Sequence, residues 1–183
     1  MQKPFNFERW LEANQQFLEP PVGNRHLFDT ETDMVVMVIG GPNQRTDFHD
    51  DPVGEFFYQV RGSMLLKVIE NERAVDIPIH AGEVFYLPPH VRHSPQRPET
   101  GSVGLVVEGT RQPSDADGFE WYCFDCGGLV HRVELVIHDI VKDLPPVFGD
   151  FYASNAARQC PQCGSEHPGK TAPDGWVELN SGE

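Results

Sequence analysis

The sequence predicts an all-β fold, an antiparallel sandwich or barrel with a few short helices. From Met34 to Arg111 the chain is a series of short apolar runs, those runs are rich in Val, Ile and Phe, and turn-forming clusters break them at Arg61-Gly62-Ser63, Asn71-Glu72-Arg73 and Ala81-Gly82. Short strands in such a series close into a sandwich or barrel. At 183 residues the chain has the size of one main domain with room for a small appended module.

The elements follow in chain order. Phe7, Trp10, Leu11, Phe17 and Leu18 recur at helical spacing, with Asn6 as cap and Pro20-Pro21 as stop, which predicts a packing helix over 7–18. The strand candidates are MVVMVIGG, EFFYQV, SMLLKVIE, AVDIPI, EVFYLP and SVGLVVEG. After Thr110, RQPSDADG reads as a linker, and FEWYCF and LVHRVELVI read as two further strands around a first cysteine pair. The stretch KDLPPVFGDFYASNAA is mixed and allows a short helix; from about Ser165 the Gly, Pro and polar residues predict a tail lying loosely on the surface. We therefore expect a barrel with its N-terminal helix over 1–118 and an extension over 119–183. No internal repeat is visible.

Lys and Arg number 14 against 28 Asp and Glu, a formal net charge of -14. That balance disfavours nucleic acid, whose binding rests on cations neutralising phosphates. No run approaches the roughly 20 apolar residues that cross a bilayer, and MQKPFNFERW is too polar for a signal-peptide core. The expectation is a soluble, cytoplasmic protein.

Two segments concentrate metal-ligand residue types beside shaping glycines and prolines: Gly41 to Gly62, containing His49 and Glu55, and Gly82 to Arg97, containing His93. Both resemble the paired motifs of the cupin superfamily, with one departure: Asp51 stands where the general pattern has a second His. The set His49, Glu55 and His93 suits ferrous iron, because two imidazoles and one carboxylate on one face leave positions open for substrate and oxygen. His49 and Glu55 are an even number of residues apart, so both face the interior if the chain stays extended between them, although Pro52 intervenes. His90 is the rival ligand, but it falls where the cupin pattern has Gly and reads as a turn residue. His80 sits at a strand end.

Arg45 lies four residues before His49 and Arg97 four after His93. Two guanidiniums beside a metal call for an anion, and a carboxylate matches their planar fork. Glu108, inside an apolar run, needs a partner if buried. Phe57, two residues after Glu55, faces the same interior and offers a wall for a ring. Together these describe a small aromatic acid as substrate.

The segments RTDFHDDPVGEFFYQVRG and FYLPPHVRHSPQRP, with the late cysteine pairs, are similar to the bacterial members of the 3-hydroxyanthranilate 3,4-dioxygenase family, over about Val22 to Cys163. The resemblance implies a cupin (jelly-roll) barrel with iron held by His49, Glu55 and His93. It implies Arg45 and Arg97 on the substrate carboxylate, Glu108 accepting from its amino or hydroxyl group, and Asn24 as a further pocket residue. It implies Fe(II)- and O2-dependent ring opening to 2-amino-3-carboxymuconate semialdehyde, which cyclises to quinolinate on the kynurenine route to NAD, and a homodimer. Another cupin oxygenase with a different acid, or a non-enzymatic metal-binding cupin, are the other readings.

Cys123, Cys126, Cys160 and Cys163 form two Cys-x-x-Cys-Gly pairs. In a chain without an export signal this spacing favours a closed tetrahedral site for iron or zinc over disulfides. The pairs look like those of rubredoxin, for which the family resemblance implies iron. A closed site leaves no position for substrate, so its expected role is structural.

Overall fold

The computed structural model describes residues 3–20, 23–30, 32–71 and 73–179. Among the described residues, eleven strands form two antiparallel sheets facing each other. The first has the order β1 (Asn24–His26), β2 (Met34–Gly40), β9 (Val103–Gly109), β4 (Glu55–Arg61), β7 (Val84–Leu87). The second runs β11 (Leu129–Leu135), β10 (Asp117–Tyr122), β3 (Asp47–Asp50), β8 (His93–Gln96), β5 (Ser63–Glu70), β6 (Arg73–His80). This is the barrel that the run of short strands predicts. The predicted turns close as expected, with Gly62 at φ 62°, Asn71 at 50° and Gly82 at 88°, backbone that glycine and asparagine adopt at least cost.

Strand alternation sorts residues between the interior and the outside. On β4, Glu55, Phe57 and Gln59 point inward and are buried, whereas Phe56 is exposed. Phe57 joins Met64, Leu66, Val68, Ile79, Leu87 and Val106 in the core between the sheets. Burying side chains of this size contributes about 1.5–3 kcal/mol each, which makes the scaffold around the polar interior groups rigid.

The first helix, α1 (Phe7–Asn14), starts where Asn6 Oδ1 accepts from the Arg9 amide at 2.9 Å, as the predicted cap requires. Its Leu11, with Leu18 beyond the helix end, covers the outer face of the first sheet against Val38 and Val103. Phe17 leaves the predicted stripe, because the chain tightens into a 3-10 turn at Gln15–Phe17; its ring lies exposed under the Arg25 guanidinium, 4.1 Å away. Of the predicted stop, Pro21 lies outside the described residues, as do Val22, Glu72 and residues 180–183.

Beyond Thr110 the structure corrects three expectations. The supposed linker ends in β10, which hydrogen-bonds to β3 from Gly118↔Asp50 to Trp121↔Asp47. The mixed stretch forms α2 (Ile140–Ala153), followed by α3 (Asn155–Arg158). Leu144, Phe148, Phe151 and Tyr152 fall at i, i+4, i+7 and i+8 and pack on Phe119 and Trp121, and this burial outweighs the two internal prolines Pro145 and Pro146. The tail after Ser165 is anchored rather than loose. His167 is buried, Thr46 donates to the Gly169 carbonyl at 2.7 Å, and Trp176 packs edge-on against Phe124 and Phe48 with the Lys67 ammonium 4.1 Å over its ring. Its polar composition hides these anchors.

Candidate metal centre and substrate pocket

Register creates the centre. His49 on β3 and His93 on β8 are direct cross-strand partners, so both imidazoles project from the same face of the second sheet. Glu55 opens β4 on the first sheet, opposite them. The ligand atoms of His49, Glu55 and His93 all lie within 4.8 Å of one another. The three residues predicted from sequence are thus brought together. His90 is not part of the group: it sits in a turn at φ 63°, the left-handed conformation in place of the motif glycine, and pairs with Asp50 on the outside. His80 ends β6, its Nδ1 3.2 Å from Ser63 Oγ.

The hydrogen bonds around the triad define its chemistry. His93 Nδ1 donates to the Val91 carbonyl at 2.9 Å, since a carbonyl only accepts, so Nε2 is the atom turned to Glu55 Oε1 at 2.7 Å. Burial would lower the His93 pKa, but the Glu55 carboxylate overrides it and raises it. Burial would raise Glu55, yet His93 and His49 pull it down, so the carboxylate is ionised. Glu55 Oε1 is nevertheless poorly directed for a hydrogen bond to that ring. Two donor atoms aimed at one point, both more than nine-tenths buried, fit a cation better than a proton. His49 is kept neutral by burial, against the opposing Asp117 carboxylate 2.7 Å from its Nε2, and Phe119 stacks flat on its ring with centroids 4.9 Å apart. A neutral imidazole held by a carboxylate is the form that binds metal.

Around these residues lies a carboxylate cluster that the sequence did not reveal. Glu108 pairs across strands with Glu55. The partner that a buried Glu108 requires is Arg111, whose Nη1 donates to Glu108 Oε2 at 2.9 Å. Arg111 also donates to Asp51 at 2.7 Å and to Asp117 at 2.9 Å. Asp51, where the cupin pattern has its extra His, is buried and pushed by burial to about 7 in spite of Arg111. His49, Asp51 and Asp117 form a second group with converging ligand atoms, but its carboxylates are already neutralised by that guanidinium. Arg111 and Asp117 were hidden because RQPSDADG has linker composition. The available signal was the spacing Asp117, Phe119, Trp121, which puts Asp117 on the inward face of a strand.

The two predicted arginines differ. Arg45 already has an anion, the Asp47 carboxylate, which its Nε and Nη2 both reach. Arg97 is 1% exposed, and among the described residues its Nη2 meets only the Met64 thioether at 3.5 Å and its Nε has no partner. Burial pushes it down to about 10 while Glu55 opposes that shift. Room for the guanidinium is made by Gly104, where a Cβ would come within 2.7 Å of Nη2. A buried guanidinium lacking an acceptor is a site for a carboxylate. Phe57 is buried in the core beside these groups, two residues from Glu55. Asn24 lies exposed on edge strand β1, separated from β9 by β2, and among the described residues no hydrogen bond links it to the triad.

The sequence model of the family described as 3-hydroxyanthranilic acid dioxygenase matches residues 1–152. Similar proteins named 3-hydroxyanthranilate 3,4-dioxygenase include one from Shewanella woodyi, 59% identical over 96% of this chain and 92% of its own length. Another, from Jannaschia sp., is 57% identical over 96% of this chain and 97% of its own. The chain belongs to the 3-hydroxyanthranilic acid dioxygenase family. Among solved structures, a cupin-2 domain containing protein from Shewanella frigidimarina aligns at 17% identity with a TM-score of 0.47, over 58% of this chain and 94% of that one.

This 3-hydroxyanthranilic acid dioxygenase family member carries a second cluster. The four cysteine sulfurs converge within 4.8 Å, with Cys123 and Cys163 Sγ 3.6 Å apart and Cys126 and Cys160 likewise. That separation is far beyond a disulfide bond of about 2.05 Å. Two equivalent turns build it. The Gly127 amide donates to the Cys123 carbonyl at 2.9 Å and the Gly164 amide to Cys160 at 3.0 Å, with the glycines at φ 74° and 79°. Four converging thiols in paired turns are a candidate tetrahedral metal site.

Proposed function

We propose that this protein is a ferrous-iron-dependent dioxygenase that opens the ring of 3-hydroxyanthranilate with O2, giving 2-amino-3-carboxymuconate semialdehyde and, by spontaneous cyclisation, quinolinate. The observation that carries the reading is Arg97: a buried guanidinium with no side-chain oxygen acceptor among the described residues, beside a two-histidine, one-carboxylate triad, fits an acid whose ring must meet a metal. His49, Glu55 and His93 would hold the iron, which supplies the redox chemistry that lets triplet oxygen react with a singlet substrate. Arg97 binds the substrate carboxylate through its planar fork. Arg45 adds positive charge at the same end while staying paired with Asp47. Glu108, held by Arg111, accepts a hydrogen bond from the substrate hydroxyl or amino group and can take its proton. Phe57 forms part of the apolar wall, and Asn24 is a more distant pocket residue. Core packing and the buried ion pairs exclude water and fix the ring's orientation.

In this reading the four cysteines hold a second iron, or zinc, in a structural role. The protein acts as a cytoplasmic homodimer on the kynurenine route to NAD, with the catalytic barrel over 1–118 completed by β10 and β11, which lead into the metal-knuckle extension over 119–183. The decisive assay follows oxygen uptake and product absorbance after Fe(II) reconstitution. Stoichiometric uptake with 3-hydroxyanthranilate is expected. Turnover of another aromatic acid, such as gentisate, with none of 3-hydroxyanthranilate would sink the substrate assignment; no uptake with any acid would favour a metal-binding protein.

A further inference from the structure

We propose that Arg111 is a positioning residue for the metal triad, clamping the two sheets together at the point where the triad's halves meet. This rests on the reading of His49, Glu55 and His93 as metal ligands. His49 and His93 come from the second sheet and Glu55 from the first, so the distance between the ligands is set by how the sheets sit against each other. Arg111 follows β9 and spans that gap. Its Nη1 holds Glu108 of the first sheet at 2.9 Å, and its Nε holds both oxygens of Asp117 of the second, at 3.1 and 3.0 Å. Its Nη2 holds Asp51, in the turn that joins β3 to β4, at 2.7 Å. Asp117 Oδ1 is shared: it accepts from Arg111 and from His49 Nε2. The guanidinium therefore fixes the carboxylate that orients one metal ligand and the carboxylate that faces the substrate.

Only a planar group with several donors in fixed directions reaches three carboxylates on three different elements. A lysine carries the same charge on one nitrogen and cannot span them. Asp117 is wholly buried and the other two nearly so, which makes the arrangement stiff and lets a small displacement reach His49 directly. Outer partners of metal ligands typically contribute 10–100-fold in metal affinity or activity.

The test compares wild type, Arg111→Lys, Asp117→Asn and the double variant. Fe(II) binding to the triad is measured anaerobically, without substrate, by equilibrium dialysis, and metal at the four-cysteine site serves as an internal check of folding. Each single variant should lose about 10–100-fold in triad affinity. Both iron-saturated single variants should lose kcat; Asp117→Asn, which leaves Arg97 and the Arg111–Glu108 pair in place, should change KM little, whereas Arg111→Lys, which also releases Glu108, should raise it. The double variant should be no worse than the poorer single one, because the residues act through one connection. If Arg111→Lys does not fold, Asp117→Asn carries the test alone, since it keeps Arg111 and the side-chain shape and removes only the charge at position 117. Unchanged affinity and kcat in folded single variants, or losses that simply add, would overturn the proposal. A wild type that binds Fe(II) at the triad yet does not turn over 3-hydroxyanthranilate would instead overturn the proposed function and leave this result standing.

Discussion

The triad and the four-cysteine cluster are built in opposite ways. Each half of the cysteine site is local: two copies of one short turn, each closed by its own amide–carbonyl bond and a glycine at positive φ, bring two sulfurs apiece, and only the meeting of the two turns, whose paired sulfurs are 34 and 40 residues apart, depends on the fold. The triad is non-local, since His49, Glu55 and His93 sit on three strands of two sheets and converge only when the register is right. The cysteine cluster would offer a metal four protein ligands, whereas the triad would leave positions free and is flanked by Arg97 and the Arg111 carboxylate cluster. A closed, local site suits holding a tail in place. An open site fixed by the whole barrel suits chemistry, because the surrounding core keeps its geometry when substrate arrives.

The difference is sharpest at the ligands themselves. His49→Ala should lower turnover by more than the ~100-fold typical of outer partners, while the metal content of the cysteine site stays at one ion per chain. Retained turnover with Fe(II) bound would exclude the triad. A smaller effect is expected for Arg97→Gln: loss of charge-assisted bonds worth about 1.5–3 kcal/mol should reduce kcat/KM for 3-hydroxyanthranilate about 10–100-fold. 2-Aminophenol, which lacks the carboxylate, should be much less affected, and an equal loss for both compounds would remove Arg97 from carboxylate binding.

On the other side of the comparison, Cys126→Ser should lower metal content and thermal stability while kcat per triad-bound iron changes less than about twofold, well below the ligand effect. Selective loss of turnover in a normally folded variant would point to electron transfer instead. The smallest expected effect concerns the anchored tail. Burial, then the nearby Arg158, hold His167 down at about 4, against 6.5 unperturbed. A depressed folded-state pKa means the neutral ring's contribution is complete above pH 6.5 and is lost as pH falls toward about 4. Thermal denaturation of His167→Phe should fall less steeply across that window than wild type; parallel curves would contradict the assignment.

Much of this contrast was legible from the residues. The cysteine site is written in spacing, because each of its two turns is local. The triad was legible because each ligand sits in a motif with its own glycines and prolines, and His90 was correctly set aside as a turn residue in a glycine position. What composition could not show was long-range pairing. Arg111 and Asp117 lie in a stretch of linker-like residues, and their importance appears only when β10 docks on β3 and carries Asp117 to His49. The same holds for α2, which is longer than the short helix expected of this stretch because Trp121 and Phe119 supply a surface to bury it. His167 and Trp176 were obscured by the polar residues around them.

The most direct test separates the two sites by metal. Protein with zinc at the four cysteines and Fe(II) only at the triad, verified by elemental analysis, should consume one O2 per 3-hydroxyanthranilate at the full rate of the all-iron protein. Absence of turnover until iron also fills the cysteine site would contradict the assignment of the triad as the sole reaction centre.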